Sequence, residues 1–222
     1  MVHKVSHTQK VLNVWAIILI IWSVYRAKLS LPAWIDELVA KPFVFILPVI
    51  IFLNRFEGKK EVRKELGFTT KNFFSDIRLA LIIGLFFSII AVLSNFIKFG
   101  NFSFTQTLFA MGGTRLFFAF VLALATGVSE EVLSRGFVLN QFYKESGNPI
   151  SASFLSSIFF LILHVPILFT NLKLSGTVLL FFLATDFILS LVNSFVFLDR
   201  KSLTAPILIH AFYNMSIILY IS

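Results

Sequence analysis

Three groups of ionisable and amide side chains interrupt otherwise apolar segments of the sequence. They are Glu130, Glu131 and Arg135, then His164, and then His210 and Asn214. Ionisable residues inside apolar helices are costly, which makes these groups candidates for a functional site. Carboxylates and imidazoles are the side chains that enzymes use most often to move protons. Two His and a Glu can also bind Zn²⁺ and activate a water molecule.

The spacing within two of these groups places their members on common helix faces. Glu131 and Arg135 are four residues apart with the acid first, which is the favourable order for an ion pair on a helix. Glu130 points about 100° away from that pair and is free for other chemistry. His210 and Asn214 are also four residues apart, so the imidazole and the amide can contact one ligand or one water molecule.

The first two groups are predicted to lie at the same depth. Glu130 and His164 each lie about 17 residues from the turn Lys-Glu-Ser-Gly-Asn-Pro. In two antiparallel helices, both would be about 25 Å from that turn at about 1.5 Å per residue. Phe160 lies one turn before His164 and is expected to form a wall of the same site. Asp186 and Asn193 are weaker candidates, and Asp186 is interpreted as a structural or lumen-facing charge.

The composition of the chain indicates a polytopic membrane protein. Of the 222 residues, 58% are hydrophobic and 14% are charged, and Phe alone occurs 29 times. A soluble domain of this size could not bury so much apolar side chain. We therefore predict an all-α membrane helix bundle that forms a single membrane domain over 1–222. The absence of cysteine excludes disulfides, thiol catalysis and Cys-ligated zinc.

Apolar runs predict about seven transmembrane helices, with six or eight as alternatives because the second run is short. The predicted spans are 11–25, 41–53 with an extension towards residue 35, 79–97, 115–143, 150–169, 176–198 and 203–221. The polar segment 54–76 is the longest predicted loop. No internal repeat is evident in the sequence.

The distribution of Lys and Arg predicts the orientation. The chain has a formal net charge of +8, and the segment 54–78 alone holds seven of its 19 Lys and Arg residues. By the positive-inside rule, this loop and the N-terminus are expected in the cytoplasm. The localisation that we expect, independently of that rule, is the bacterial cytoplasmic membrane. Basic loops at the lipid surface account for the charge, so no nucleic-acid partner is expected.

Taken in order, the three groups resemble the motifs of the CPBP family, the CAAX-protease and bacteriocin-processing (Abi) intramembrane endopeptidases. The sequence holds Glu-Glu-x-x-x-Arg at 130–135, Phe-x-x-x-His at 160–164 and His-x-x-x-Asn at 210–214. The resemblance covers about 115–215, which is the predicted catalytic core. There are two departures: Ser134 stands where an aromatic residue is common, and Ser190 and Asn193 lie where glycine-rich patterns are common.

The resemblance implies an intramembrane endopeptidase with a defined set of catalytic residues. Glu130 would be the base for water, His164 would hold or activate that water, and the oxyanion would be stabilised by His210 and Asn214. The supporting residues would be Glu131, Arg135 and Phe160. The family has been described both as metalloproteases and as metal-independent glutamate proteases. If Zn²⁺ is bound, its ligands would be Glu130, His164 and His210; we favour direct glutamate chemistry, which requires no metal.

The expected partners are the lipid bilayer and a peptide or membrane-protein substrate. Family members of this length resemble accessory proteins of bacteriocins and peptide toxins, which implies maturation of a peptide precursor or self-immunity. Two other functions stay open at this point. One is a non-catalytic immunity, binding or scaffold protein in which the motifs are structural. The other is a small transporter, because ion pathways also place Glu and His inside membranes.

Overall fold

The computed structural model describes residues 6–55, 58, 61–100, 103–168 and 176–221, and within these ranges it holds eight helices and no strand. The helices are α1 (His7–Lys28), α2 (33–55), α3 (Val62–Glu65), α4 (Phe73–Phe99), α5 (103–146), α6 (Pro149–Ile167), α7 (Gly176–Arg200) and α8 (Thr204–Ile221). The predicted all-α fold is confirmed. Lys4, Lys59, Lys60 and Phe169, which belong to predicted loops and spans, lie outside the described residues.

Several of these helices are long and apolar enough to cross a membrane. Within the described residues, five stretches meet this criterion: His7–Lys28, Phe73–Leu93, Phe109–Ser146, Pro149–Pro166 and Leu179–Arg200. The chain is therefore an integral membrane protein built as a helical bundle. The total of seven crossings stays a prediction, and α2, which contains the weak second span, carries three buried or partly buried charges at Asp36, Glu37 and Lys41.

Two helices contain wide π-helical turns next to charged residues. In α2 these turns cover Asp36–Ala40 and Pro42–Ile46, on either side of Lys41. In α5 a longer π-helical stretch, Val132–Leu139, begins directly after Glu131. Such turns rotate the following side chains relative to a regular helix and are frequent at functional sites. Pro42 lacks the backbone N–H that a regular helix would need there, which favours an irregular turn in α2.

The predicted starts of two spans were wrong by several residues. Helix α5 begins at Ser103 rather than near 115, but Gly112 interrupts it with a backbone conformation of φ 68° and ψ 162°. The uninterrupted part therefore starts close to the predicted residue. Helix α4 begins at Phe73 rather than 79, because Asp76 is completely buried and is paired with Arg200 at 2.8 Å. A polar residue at the helix start was mistaken for part of the loop.

The segments that were predicted to share the cytoplasmic side lie at one end of the bundle. The beginning of α1 contacts the end of α5, the end of α5 contacts α3, and the turn between α7 and α8 contacts α5. The contacts are Thr8–Glu145, Lys144–Glu65 and Lys201–Tyr143. Segments separated by an even number of spans lie on the same side of a membrane, and their common location agrees with this. The assignment of this end of the bundle to the cytoplasm stays a prediction.

Helix α8 packs closely against α5 because Gly127 has no side chain. A Cβ atom at this position would lie 2.9 Å from the carbonyl oxygen of Ile207 and 3.7 Å from the Cβ of His210. The backbones of α5 and α8 can approach only while this position is Gly. The approach brings the middle of α5, with Glu130 and Glu131, next to His210.

We predict that Gly127→Ala forces α5 and α8 apart and lowers the free energy of unfolding by about 1–3 kcal/mol, as overpacking does. Gly113→Ala is the matched control, because a Cβ on this residue of the same helix would have nothing within 4 Å. Its stability should be unchanged or slightly higher, since Ala favours helix. Thermal unfolding in detergent measures both variants, and equal melting temperatures would contradict the close packing.

Candidate active site

Four helices bring ionisable side chains to one place inside the bundle. Glu130 comes from α5, His164 from α6, Asp186 from α7 and His210 from α8. The Oε2 atom of Glu130 lies 3.6 Å from Nε2 of His164 and 3.6 Å from Nε2 of His210. Residues that are up to 80 positions apart in sequence therefore face one carboxylate oxygen. The equal depth expected for Glu130 and His164 is present in the structure.

The two oxygens of Glu130 have different surroundings. Oε1 accepts a hydrogen bond of 2.7 Å from the ammonium of Lys41. Oε2 is buried and has no hydrogen-bond partner among the described residues, because both imidazoles lie beyond hydrogen-bonding distance. A buried carboxylate oxygen requires a donor, so Oε2 is available to a small reactant such as water.

The imidazole rings are oriented by acceptors at their Nδ1 atoms. Nδ1 of His164 lies 3.0 Å from the carbonyl oxygen of Phe160, and Nδ1 of His210 lies 2.7 Å from Oε1 of Glu131. A carbonyl and a carboxylate can only accept, so each Nδ1 carries a proton and donates it. Both Nε2 atoms are thereby turned towards Glu130. Each ring is held in a single orientation with its reactive nitrogen directed to the same oxygen.

Glu131 is the centre of a second, fully enclosed cluster. Its Oε1 atom also accepts hydrogen bonds from Arg135 at 3.1 Å and from Asn193 at 3.0 Å. Arg135 is completely buried, and its guanidinium also donates to the carbonyl oxygen of Ser190 at 3.0 Å. The pairing of Glu131 with Arg135 that their spacing predicts is therefore present. These contacts fix α5 against α7 and hold His210 in place.

Phe160 forms an apolar wall between the two clusters. Its ring centroid lies 4.7 Å from that of His164 and 5.8 Å from that of His210, and the side chain is buried. The guanidinium of Arg135 lies over the same ring at 4.6 Å, which is within the range of a cation–π contact. Phe160 thus restricts the movement of both imidazoles, as expected for a wall of the site.

Asn214 is the predicted site residue that the structure does not join to these clusters. It lies one turn after His210 on α8 and is half-buried. Its side chain makes no hydrogen bond within the described part of the chain, and the amide that contacts Glu131 comes from Asn193 instead. The role of Asn214 in stabilising an oxyanion stays a prediction.

Lys41 and Glu37 lie next to the candidate site but were not predicted from the sequence. Lys41 was interpreted as the start of a span, yet its ammonium is buried and lies 2.7 Å from both Glu130 and Glu37. Glu37 also accepts a hydrogen bond of 2.6 Å from Thr126. Glu37 and Lys41 are four residues apart with the acid first. The same spacing predicted the ion pair of Glu131 with Arg135, so it could also have indicated this one.

Asp186 also lies closer to the candidate site than the sequence suggested. Its side chain is buried, and Oδ2 lies 3.4 Å from Nδ1 of His164. It has no hydrogen-bond partner at Oδ2 within the described chain. A second anion therefore faces the ring that also faces Glu130, so both sides of His164 are next to a carboxylate.

The zinc site that was considered as an alternative fits these residues poorly. Among the described residues, no group of three or more His, Asp or Glu side chains could hold a metal ion. The ammonium of Lys41 also lies against Glu130, which would have to be the anionic ligand. A metal cation beside this ammonium would be repelled by it. The choice between direct glutamate chemistry and zinc chemistry stays a prediction.

Comparison with known protein families matches residues 111–216 to the family described as type II CAAX prenyl endopeptidase, Rce1-like. The matched range contains Glu130, His164 and His210, and Lys41 and Glu37 lie outside it. No curated protein and no solved structure matches the chain.

Arg135→Ala should reduce the amount of folded protein in membranes. The change leaves the buried carboxylate of Glu131 without its ion-pair partner, at a cost of about 3–5 kcal/mol. Quantitative immunoblotting of the membrane fraction measures the effect. The double variant Glu131→Gln with Arg135→Met removes both charges and should restore part of the abundance. Normal abundance of Arg135→Ala together with lost activity would instead place Arg135 in the chemistry.

Proposed function

Residues 111–216 belong to the type II CAAX prenyl endopeptidase, Rce1-like family, a family of proteases, and on this premise we propose that the protein is an intramembrane endopeptidase whose base is Glu130. The observation that carries the proposal is the unpartnered oxygen Oε2 of Glu130, which two imidazole nitrogens face at 3.6 Å. A water molecule between these three atoms would lie within reach of a base and of two orienting groups.

In the proposed reaction, Glu130 removes a proton from the water while the water oxygen attacks the carbonyl carbon of the peptide bond. In the neutral form of His164, Nδ1 donates to the carbonyl oxygen of Phe160 and Nε2 is unprotonated, so Nε2 can accept the second hydrogen of the water and orient it. Glu130 then returns its proton to the nitrogen of the leaving amine as the C–N bond breaks. The carboxylate ends the cycle in the form in which it began.

The oxyanion that forms on the carbonyl requires a hydrogen-bond donor. His210 can supply one from Nε2 only in its doubly protonated form, because its Nδ1 is engaged with Glu131. Glu131 lies next to that imidazole and offsets its positive charge. Asn214 would be a second donor if its half-buried amide turns towards the substrate.

A membrane-associated peptide is the substrate class that the surroundings of the site favour. The candidate catalytic groups lie among membrane helices, so a substrate reaches them through the bilayer or along the bundle. Helices α4 and α7 form an apolar groove of about 550 Å³, lined by Ile82, Ile83, Phe86, Phe87, Ile90, Phe181, Thr185, Ile188 and Val192. Maturation of a bacteriocin or peptide toxin, and self-immunity, are the biological settings that we predict.

The decisive variants are Glu130→Gln, His164→Ala and their combination. Gln keeps the size of Glu but cannot take a proton, so each single change should lower the cleavage rate at least about 100-fold, as the loss of a general base does. The double change should cost little more, because the two residues act on one water. Protein in lipid nanodiscs is incubated with a pool of hydrophobic leader peptides and one farnesylated C-terminal peptide, and products are identified by mass spectrometry.

Strictly additive losses in that experiment would show that Glu130 and His164 act separately. Single variants that cleave at the wild-type rate would refute the protease and favour the non-catalytic binding function. A flux assay in liposomes with the same preparations addresses the transporter function. Ser146→Ala, at the exposed end of α5, is a control that should leave both cleavage and flux unchanged.

Cleavage should persist in the presence of a strong chelator. The carboxylate of Glu130 faces an ammonium, and the proposed reaction needs no metal. Rates are compared before and after incubation with EDTA, followed by addition of Zn²⁺. Loss of activity that Zn²⁺ restores would contradict direct glutamate chemistry and would make Glu130, His164 and His210 zinc ligands.

A further inference from the structure

Lys41 lies outside the part of the chain that matches the protease family, and yet it contacts the candidate base directly. It stands between the two π-helical turns of α2. Its ammonium lies 2.7 Å from Oε1 of Glu130 and 2.7 Å from Oε2 of Glu37. Its side chain is only 8% exposed. A long cationic side chain is thus buried with two carboxylates rather than extended to the membrane surface.

A closed set of contacts holds Lys41 in this position. Thr126 donates a hydrogen bond to Glu37, Glu37 pairs with Lys41, and Lys41 pairs with Glu130. Thr126 and Glu130 are four residues apart on α5, so the contacts leave that helix and return to it one turn later. The ammonium is thus held by a carboxylate on each of two helices, which restricts its movement relative to Glu130.

Two properties of Glu130 depend on this contact. An ionised carboxylate inside the membrane is costly unless a cation is close, and Lys41 supplies that cation. In addition, the hydrogen bond occupies Oε1, so that Oε2 is the oxygen that faces His164 and His210. The charge and the direction of the carboxylate are both set from α2.

We propose that Lys41, held by Glu37, is a positioning residue that keeps Glu130 charged and directs its Oε2 atom at the reacting water. This inference rests on the proposed function of Glu130 as a base. Lys41 acts through Glu130 and does not touch the substrate. The N-terminal part of the chain therefore contributes to the reaction, in addition to the family-matched range 111–216.

A matched control is needed to distinguish the positioning role of Lys41 from a purely structural one. Arg26 and Asp36 form another ion pair between α2 and a neighbouring helix, and it is buried to the same degree as the pair of Lys41 with Glu130. Neither residue contacts Glu130, His164 or His210 within the described structure. Both cations lie over the ring of Trp22, at 5.6 Å for Arg26 and 5.9 Å for Lys41. Arg26→Met therefore removes a buried ion pair from the same part of α2 and leaves in place every residue that contacts Glu130.

The test compares Lys41→Met, Lys41→Arg and Arg26→Met in nanodiscs, with a quenched peptide that contains the sequence cleaved by the wild type. Activities are expressed per amount of folded protein. We expect kcat of Lys41→Met to fall roughly 10–100-fold, the effect of a small misplacement of a catalytic group, while KM changes less than about twofold. Lys41→Arg should recover part of kcat because it keeps the charge. Arg26→Met should retain the wild-type kcat.

The outcomes separate this inference from the proposed function. If Glu130→Gln is inactive and Lys41→Met has the wild-type kcat or a higher one, the positioning role is overturned. A higher kcat would show that Lys41 lowers the activity of Glu130. An equal loss of kcat in Lys41→Met and Arg26→Met would show a general effect of α2. If the Glu130→Gln variant cleaves the peptide at the wild-type rate, the proposed function itself is refuted.

A second measurement does not depend on activity. The melting temperatures of Lys41→Met, Glu130→Gln and the double variant form a double-mutant cycle. If the two side chains are paired, the double variant should lose less than the sum of the two single losses. Strictly additive losses would show that Lys41 does not hold Glu130, and they would overturn the inference whatever peptide the protein cleaves.

Discussion

The cost of placing charge inside a membrane determines the arrangement of this protein. Glu130 and Glu131 are consecutive carboxylates, and consecutive residues of a helix point about 100° apart. The two carboxylates are therefore directed to different sides of the helix. Glu130 pairs with Lys41 of α2 and faces His164 of α6, while Glu131 is bound by its own helix, by α7 and by α8. The two carboxylates thereby join most of the bundle around one point.

The two carboxylates differ in what surrounds them. Each has one buried oxygen, Oε2, without a hydrogen-bond partner among the described residues. Oε1 of Glu131 receives donors from Arg135, Asn193 and His210, which hold that carboxylate against three other side chains. Oε1 of Glu130 receives only Lys41, and two imidazole nitrogens face its Oε2 at 3.6 Å. The two imidazoles beside Oε2 are therefore what favours Glu130 as the general base.

The helical membrane fold followed from the sequence, because apolar runs identify helices. The residues of the candidate site were predicted from the same runs, because polar residues inside them are rare. Counting residues from a turn also gave the shared depth of Glu130 and His164. Periodicity along one helix does not reveal which helices meet, so the contact between Lys41 and Glu130, 89 residues apart, was missed. A Lys at the edge of an apolar run is typical of a membrane surface, and the π-helical turns that bury it have no simple sequence signal.

The most direct test of this account is an experimental structure of the wild-type protein in a lipid nanodisc at a resolution that shows ordered water. The account predicts a water molecule within about 2.7–3.2 Å of Oε2 of Glu130 and of Nε2 of His164 or His210, with Lys41 on the other carboxylate oxygen. A metal ion bound by Glu130 and both imidazoles at about 2.0–2.2 Å, or a His164 ring turned towards the lipid, would contradict it.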